Sequence, residues 1–205
     1  MLGLYATGKE AEENAVKHIG LLVSEMCIDL GAHCDVGVYH MGPPLEKGVT
    51  SVDLLGLITD LQHDNLIKME QWIREMLRSE FKDYHVRPGS IIVQSDNPGG
   101  PPTEVRFSCA GFVERCYRDA LKWQLVVDEP SLPEVSLDKL MRIWVEPRLL
   151  RALRIPKLRE RYGLHGDGPW RILMPAYLFH AIRHFDANGR SASPYQPRDG
   201  DWQFV

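Results

Sequence analysis

The sequence predicts a single α+β domain. Short runs of branched apolar residues, typical of strands, alternate along the chain with longer stretches of amphipathic helical periodicity. The 205 residues are 44% hydrophobic and 25% charged, an ordinary globular composition that excludes a disordered or collagen-like chain. A chain of this length buries about 70% of its unfolded surface, so its core can form without disulfide bonds.

Two strands are predicted near the N-terminus. The first covers 17–23 and carries His18; the second covers 34–41, carries His40 and ends at a Gly-Pro-Pro turn. Successive strand residues point to opposite faces, so each histidine belongs to a defined face. Each is a candidate site residue, and the alternative for each is a hydrogen-bonded structural role.

The middle of the chain predicts a helix, a strand and a surface loop. Residues 50–80 favour helix, with Thr50 or Ser51 as the cap of a first short piece and a strongly amphipathic second piece. A strand follows over 90–95, and the loop over 96–102 holds three prolines and two glycines. We expect this loop to cross the surface of one domain and not to link two domains.

The next helix carries the sharpest chemical signal. Ser108 is a good N-cap, which places Cys109 in the first turn, where the helix macrodipole and unpaired backbone N–H groups favour the thiolate. The same N–H groups can stabilise an oxyanion. The alternative is a buried, inert cysteine that opens a core helix. Cys116, two turns along the same face, is predicted to be core, and a strand is predicted over 123–127.

The C-terminal third changes character. Prolines break 128–169 into short helical pieces, and a strand over 171–174, a helix from Pro175 and a loose tail over 187–205 follow. Residues 142–161 hold seven basic residues against two acidic ones, a local charge of +5. This charge fits a solvated helix face, a lid that receives an anionic substrate group, or a contact with nucleic acid or an anionic membrane.

Charge, cysteine content and hydropathy limit the classes of function. The chain has 24 basic and 28 acidic residues, and its net charge of −4 excludes a global polycation for nucleic acid. Its four cysteines are too few for a disulfide framework. No apolar stretch approaches the roughly 20 residues that span a bilayer, and the N-terminus has no signal-peptide pattern. We therefore expect a cytoplasmic protein with free thiols.

A metal site is not expected, and no cofactor is predicted. The local group of possible ligands consists of Cys27, His33, Cys34 and His40. Structural zinc sites need ligand pairs two to four residues apart, and adjacent strand residues point to opposite faces. His180 and His184 stand one helical turn apart but lack the neighbouring glutamate of metalloprotease motifs.

Three short motifs together resemble one superfamily of cysteine hydrolases. KHIGLLV is similar to the histidine strand of the NlpC-like papain-fold superfamily, and SCAGFVERCY is similar to its cysteine helix. VYHMGPP resembles the second-histidine strand of the circularly permuted branch, which contains lecithin retinol acyltransferase. The order His, His, Cys is the permuted order, and the resemblance covers residues 15–127.

The resemblance implies a papain-like, permuted NlpC-type fold, in which an antiparallel sheet packs against the cysteine helix. Residues 15–127 and 171–186 then form the core of one domain over 1–205, and 128–169 forms a helical insert or lid. Cys109 is implied to be the nucleophile, His18 the general base and His40 the polar third member of the site.

The implied activity is that of a cysteine peptidase or amidase. Such a thiol hydrolase works through an acyl-enzyme and cleaves an amide bond in a small peptide-like substrate. One alternative is an acyl-ester hydrolase or acyltransferase that acts on lipid; another is a non-catalytic binding protein on the same fold. We expect a small peptide-like or acyl substrate as the partner, no nucleic acid and no membrane span.

Overall fold

Seven stretches of the chain are described by the structure, a computed structural model. They are residues 2–7, 18–23, 36–41, 45–50, 63–86, 90–143 and 147–202. In these stretches six helices and nine short strands form a mixed α+β fold. The helices are α1 (His63–Leu77), α2 (Cys109–Leu121), α3 (Leu137–Ile143), α4 (Pro147–Arg154), α5 (Pro156–Arg161) and α6 (Pro175–Asn188). The strands are β1 (Leu2–Thr7), β2 (His18–Val23), β3 (Val36–Met41), β4 (Leu45–Thr50), β5 (Phe81–Tyr84), β6 (Ile91–Val93), β7 (Glu104–Phe107), β8 (Glu134–Val135) and β9 (Trp170–Arg171).

An antiparallel four-stranded sheet carries both histidines of the predicted site. Its strands follow in the order β1-β2-β3-β4, so each strand pairs with its neighbour in the chain. β2 and β3 confirm the strands predicted around His18 and His40, whereas β1 and β4 have no counterpart in the prediction. Gly20 and Leu21 are both buried. Because successive residues face opposite sides, both faces of the sheet are covered at this point.

The helix predicted over 50–80 is confirmed for its second piece. This piece is α1, and its fully buried residues Ile73 and Met76 keep the expected helical spacing. The cap proposed at Thr50 is wrong, because Thr50 is the last residue of β4 and pairs with β3. Threonine is β-branched and favours a strand once a partner is present. Ser51, the other proposed cap, lies outside the described residues.

A second, mixed sheet leads into the cysteine helix. Its order is β5-β7-β6, with β5 parallel to β7 and β6 antiparallel to it. β6 is the strand predicted over 90–95, shortened to three residues, whereas β5 and β7 have no counterpart in the prediction. β7 alternates in burial, with Val105 and Phe107 fully buried. The chain then passes through Ser108 directly into α2.

Two other predicted strands differ from the structure. Within 123–127 only Val126 forms a bridge, to Tyr195, so this segment is not a regular strand. Near 171–174 the strand is β9, at Trp170–Arg171, which pairs with β8, and the apolar residues after it are buried without strand structure. An apolar run is buried in either case, but it becomes a strand only where a neighbouring strand pairs with it.

α2 lies at the centre of the core. It packs against α1 and α6 on the helical side and against β2, β3 and β7 on the sheet side. The rings of Trp72, Phe107 and Phe112 contact one another with centroids 5.8 to 6.0 Å apart, joining α1 and β7 to α2. The position of the first residue of α2 is therefore determined by the core and not by a surface loop.

The segment 128–169 contains the short helices that its prolines predict. These are α3, α4 and α5. Pro147 and Pro156 are each the first residue of a helix, a position whose N–H group would form no hydrogen bond within the helix, so proline costs nothing there. The same segment holds Trp144, an aromatic residue of the kind that can line a pocket, which lies outside the described residues. No helix in the described part of the chain is long and apolar enough to cross a membrane.

The composition predicts a loose tail from 187 onward, but the described tail residues contact the rest of the domain. The Tyr195 N–H donates to the Leu125 carbonyl at 2.9 Å, and the Tyr195 carbonyl accepts from the Val127 N–H at 3.1 Å. Trp202 packs against the main hydrophobic core. These contacts hold the tail across the segment that follows α2.

Candidate thiol site

Cys109 is the first residue of α2, and the cap before it is the predicted one. Ser108 has an extended backbone, and its Oγ accepts a hydrogen bond from the Gly111 N–H at 2.9 Å. The Ser108 carbonyl accepts from the Phe112 N–H, also at 2.9 Å, which closes the first helical turn. Cys109 therefore lies at the positive end of the helix, as predicted. Its side chain is only 4% exposed.

Gly111 leaves room for this cap. A Cβ atom at Gly111 would lie 3.1 Å from the Ser108 Oγ and 3.5 Å from the Ser90 Oγ. The first of these distances is tighter than ordinary van der Waals contact, so any side chain at this position would press on the capping hydroxyl. The missing side chain thus helps to hold the N-terminus of α2, and with it Cys109, in place.

Tyr84 is a neighbour of Cys109 that the sequence did not indicate. It is the last residue of β5 and pairs with Phe107, the last residue of β7, so the parallel ladder brings it next to the start of α2. The Tyr84 hydroxyl is hydrogen-bonded to Cys109. Burial raises the pKa of Tyr84 well above its usual range, and the charge of Cys109 and this hydrogen bond raise it further. The phenol therefore stays protonated and acts as a donor toward the sulfur.

The end of the segment 128–169 reaches the other side of Tyr84. The rings of Tyr84 and Tyr162 meet edge to face with centroids 6.1 Å apart, and the Val86 N–H donates to the Tyr162 carbonyl at 2.9 Å. Gly163 has a φ of +83° and lies against the His85 ring, where a Cβ would stand 2.3 Å from Nε2. The end of the segment 128–169 is therefore adjacent to the immediate partner of Cys109.

The backbone positions of both predicted histidines lie in strands that pack against α2. His18 begins β2 and pairs with Thr7, and His40 in β3 pairs with Gly20. His18 and His40 are thus diagonal neighbours in the ladder, a relation in which residues lie about 7–8 Å apart. Because β2 and β3 both contact α2, the fold brings together the three elements that carry Cys109, His18 and His40.

The other cysteine of α2 is confirmed as a core residue. Cys116 is fully buried, and burial raises the pKa of its thiol well above the usual range. It is a second buried thiol on the same helix face as Cys109. Cys27 and Cys34, and with them the local group considered for zinc, lie largely outside the described residues. Where side chains are described, no three His, Cys, Asp or Glu residues are grouped so as to hold a metal ion.

The basic segment 142–161 divides into one buried arginine and an exposed set. Arg159 is 4% exposed and donates to the Leu153 carbonyl at 3.2 Å and to Asp167 at 2.6 Å, with its guanidinium over the Trp170 ring. It joins α5 to the loop that precedes β9. The exposed set comprises Arg142, Arg151, Arg154, Lys157 and Arg161.

His180 and His184 pack against the tail. Their rings lie 6.3 and 5.7 Å from the Tyr195 ring, and His184 Nε2 is 3.2 Å from the Ser193 carbonyl. These contacts agree with a packing role.

Comparison with protein-family models, with curated proteins and with solved structures finds no match to this chain. The site is therefore interpreted from its own geometry and from the resemblance of its three motifs.

Proposed function

We propose that the protein is a thiol hydrolase of the papain-like, permuted NlpC type, with Cys109 as its nucleophile. The observation that carries this proposal is the environment of Cys109. It begins a capped helix at the centre of the core, and a buried phenol, Tyr84, is hydrogen-bonded to it. A structural cysteine needs neither a helix N-terminus nor a polar partner, as Cys116 on the same helix illustrates.

The reaction proceeds through an acyl-enzyme. His18 accepts the Cys109 proton, and the thiolate attacks the carbonyl carbon of an amide to form a tetrahedral intermediate. Backbone N–H groups at the start of α2 stabilise its oxyanion. His18 then gives the proton to the leaving amine. A water molecule, deprotonated by His18, hydrolyses the resulting thioester and restores the free thiol, while His40 orients the imidazole of His18.

Tyr84 supports the nucleophile as a positioning residue. A hydrogen-bond donor that faces the sulfur favours the charged thiolate over the neutral thiol. Tyr84 is itself 5% exposed and belongs to the core, so its hydroxyl is held at a fixed place relative to α2. This arrangement is preorganised, because the donor does not need to reorient when the thiolate forms.

Access to Cys109 requires movement, since its side chain is almost completely buried. The end of the insert is the part that we expect to move, because Tyr162 stands against Tyr84 and is itself only partly buried. In this proposal the segment 128–169 acts as a lid, and its exposed basic residues can receive an anionic group of the substrate.

The proposal is tested by thiol labelling of the folded protein. With dilute iodoacetamide at about pH 6, where an ordinary thiol is almost wholly protonated, Cys109 should be modified before Cys27 and Cys34. Cys116 is the matched control and should remain unmodified until the protein unfolds. Peptide mass spectrometry over a time course measures all four rates in one sample.

A second variant controls for a closed lid that blocks the reagent from Cys109. Tyr162→Ala should open the approach to Tyr84 and speed the modification of Cys109. Should Cys109 react no faster than Cys27 and Cys34 in both proteins, the thiol-enzyme proposal fails and a non-catalytic binding protein becomes the better interpretation. A screen against aminoacyl amides, murein peptides and acyl esters, with Cys109→Ser as the inactive control, then distinguishes amide from ester chemistry.

A further inference from the structure

The junction of α4 and α5 concentrates positive charge on the surface of the domain. Residues 151–161 contain five basic residues and one acidic residue, which leaves 19 basic and 27 acidic residues in the rest of the chain. Arg159 is buried and paired with Asp167, so its charge is already balanced. The four other basic residues are exposed: Arg151, Arg154, Lys157 and Arg161. These four, with Ile155 and Pro156 between them, are called the basic corner below.

Helical spacing places the cations of each helix side by side. Arg151 and Arg154 are three residues apart in the last turn of α4, and the two cations of α5, Lys157 and Arg161, are four residues apart. Residues at these spacings are neighbours on the surface of a helix. Leu153 is 2% exposed and belongs to the core, so α4 turns its apolar side inward and its cations toward solvent.

The basic corner has no anionic partner within the described part of the chain. No carboxylate there forms an ion pair with any of its four cations, and this includes the exposed Glu160 beside them. On α2, by contrast, Arg115 and Arg118 each pair with an acidic residue one turn away, at 2.7 and 3.0 Å. Like charges on neighbouring turns repel one another, so an external anion that binds the corner relieves this repulsion.

An apolar side chain stands in the middle of these cations. Ile155 joins α4 to α5 and is 39% exposed, and the residues on either side of it are exposed as well. Its N–H donates to the Ala152 carbonyl at 3.2 Å, and its carbonyl accepts from the N–H groups of Leu158 at 3.0 Å and Arg159 at 2.9 Å. The backbone of Ile155 is therefore held in place by both helices while its side chain projects into solvent.

This combination distinguishes between two kinds of anionic partner. The phosphates of a nucleic acid would bind the four cations but would gain nothing from an exposed isoleucine, and the acidic remainder of the chain would repel a long polyanion. The surface of an anionic bilayer uses both features. Its headgroups attract lysine and arginine, and the boundary between headgroups and acyl chains takes up an apolar side chain.

We propose that the basic corner docks the protein on the surface of a bilayer that contains anionic phospholipids. The four cations lie at the level of the lipid phosphates, and Ile155 enters the boundary below them. Each cation strengthens binding about fivefold, which gives a reversible attachment that salt weakens. The docking uses the outside of the domain, and it does not depend on the proposed thiol activity.

Sedimentation of the full chain with lipid vesicles tests the proposal. Vesicles of phosphatidylcholine alone are compared with vesicles in which about a third of the lipid is phosphatidylserine. The protein should sediment only with the anionic vesicles, and raising the salt from about 0.1 M to about 1 M should release it, because the screening length falls from about 10 Å to about 3 Å. Equal binding to both kinds of vesicle, binding to neither, or binding that high salt leaves intact overturns the proposal.

Two double variants test whether binding belongs to the basic corner. Arg154→Gln combined with Lys157→Gln removes two of its cations and should weaken binding to the anionic vesicles about 25-fold, at about fivefold for each. Lys68→Gln combined with Arg78→Gln is the matched control, because it removes one exposed lysine and one exposed arginine in and directly after α1. The control should keep nearly the full affinity, and equal losses in the two proteins contradict the assignment.

The apolar contact distinguishes a membrane from a nucleic acid. Ile155→Ser should weaken vesicle binding several-fold, whereas Ile67→Ser, which changes an isoleucine of α1 that is 40% exposed, should leave it unchanged. Full affinity in Ile155→Ser, or release of the unaltered protein from the vesicles by duplex DNA at an equal concentration of phosphate, would favour nucleic acid and overturn the membrane assignment. The comparison of the two kinds of vesicle on the unaltered protein stands even if a variant does not fold.

Discussion

At the scale of single residues, Tyr84 reaches Cys109 because two strands run in parallel and end together. β5 ends at Tyr84 and β7 at Phe107, and Cys109 follows two residues after Phe107. The pairing of the two strands thus places the Tyr84 hydroxyl beside Cys109, and burial of the ring keeps it there. The proposed mechanism depends on this contact for the charge state of the sulfur.

Removing the Tyr84 hydroxyl should slow the reaction of Cys109. Tyr84→Phe keeps the ring and its packing but removes the donor, so we expect labelling at about pH 6 to fall by roughly tenfold, the usual effect of losing a hydrogen bond to a charged group. Tyr162→Phe removes the hydroxyl of the adjacent ring and serves as the control, with labelling at the unaltered rate. Equal rates in the two variants would contradict the role given to Tyr84.

The two histidines should differ in importance. His18→Ala removes the proposed base and should abolish turnover, whereas His40→Gln and His40→Asn keep a group that can accept or donate a hydrogen bond and should retain partial activity. The kcat of each variant on the best substrate from the screen measures this difference. Equal losses at both positions would show that the division of roles is wrong.

At the scale of elements, α2 has two chemically different faces. One face carries Cys109 and, two turns later, the fully buried Cys116; the other carries Glu114 and Arg118, which line a cleft of about 240 Å³ together with residues 126–130. Burial raises the pKa of Glu114 from 4.5 to about 7, although Arg118 and the N–H groups of Leu125 and Val126 act in the opposite direction. A carboxyl group on this helix therefore titrates near neutral pH.

The stability of the protein should reflect this titration. Because the folded protein holds the Glu114 proton more tightly than the unfolded chain does, its contribution to stability is full below about pH 4.5 and is lost as the pH rises toward 7. Each pKa unit corresponds to about 1.4 kcal/mol, so the loss is about 3 kcal/mol at most.

Glu114→Gln removes this titration and is the variant that measures it. The difference in unfolding free energy between the two proteins, from urea titrations at a series of pH values, should change between pH 4.5 and 7 and become constant above. Arg118, which pairs with Glu114, and Asp128, which pairs with Arg118, are present in both proteins, as are all other titrating groups, so the difference reports chiefly on Glu114. A difference that does not vary with pH would contradict the raised pKa.

At the scale of the whole molecule, the tail closes the domain across the segment that follows α2. Tyr195 bonds through its backbone to Leu125 and Val127, and the tail also holds Ser131 through the Gln196 side chain at 2.6 Å. The Gly, Ser and Pro content of the tail predicts a flexible backbone. The contacts that the tail makes depend instead on the surface against which it packs, which local composition does not reveal.

Deleting residues 190–205 should therefore destabilise the domain. Two backbone hydrogen bonds of about 1 kcal/mol each are lost, together with the packing of Tyr195 and Trp202, so we expect a loss of at least about 2 kcal/mol in unfolding free energy. Urea unfolding followed by tryptophan fluorescence and by circular dichroism measures it. Unchanged stability would mean that these contacts contribute nothing, as in a freely moving tail.

Local signals in the sequence predicted the features that depend on neighbouring residues. Ser108, as an N-cap residue, predicts the start of α2. The runs of branched apolar residues around His18 and His40 predict β2 and β3. Tyr84 and Glu114 could not be found in this way, because each acquires its chemistry from a distant segment. Tyr84 depends on a parallel pairing across about 20 residues, and Glu114 depends on the chain that folds back beside α2.

The central place of α2 also bears on the order of events as the chain folds. Its packing partners range from β2 near the N-terminus to α6, which begins at Pro175, so many of its contacts are distant in sequence. Such contacts close large loops and form late. During synthesis Cys109 leaves the ribosome well before α6 does, so α2 lacks this packing partner until most of the chain has been made. The core around the helix that carries Cys109 is thus completed only when the chain is nearly complete.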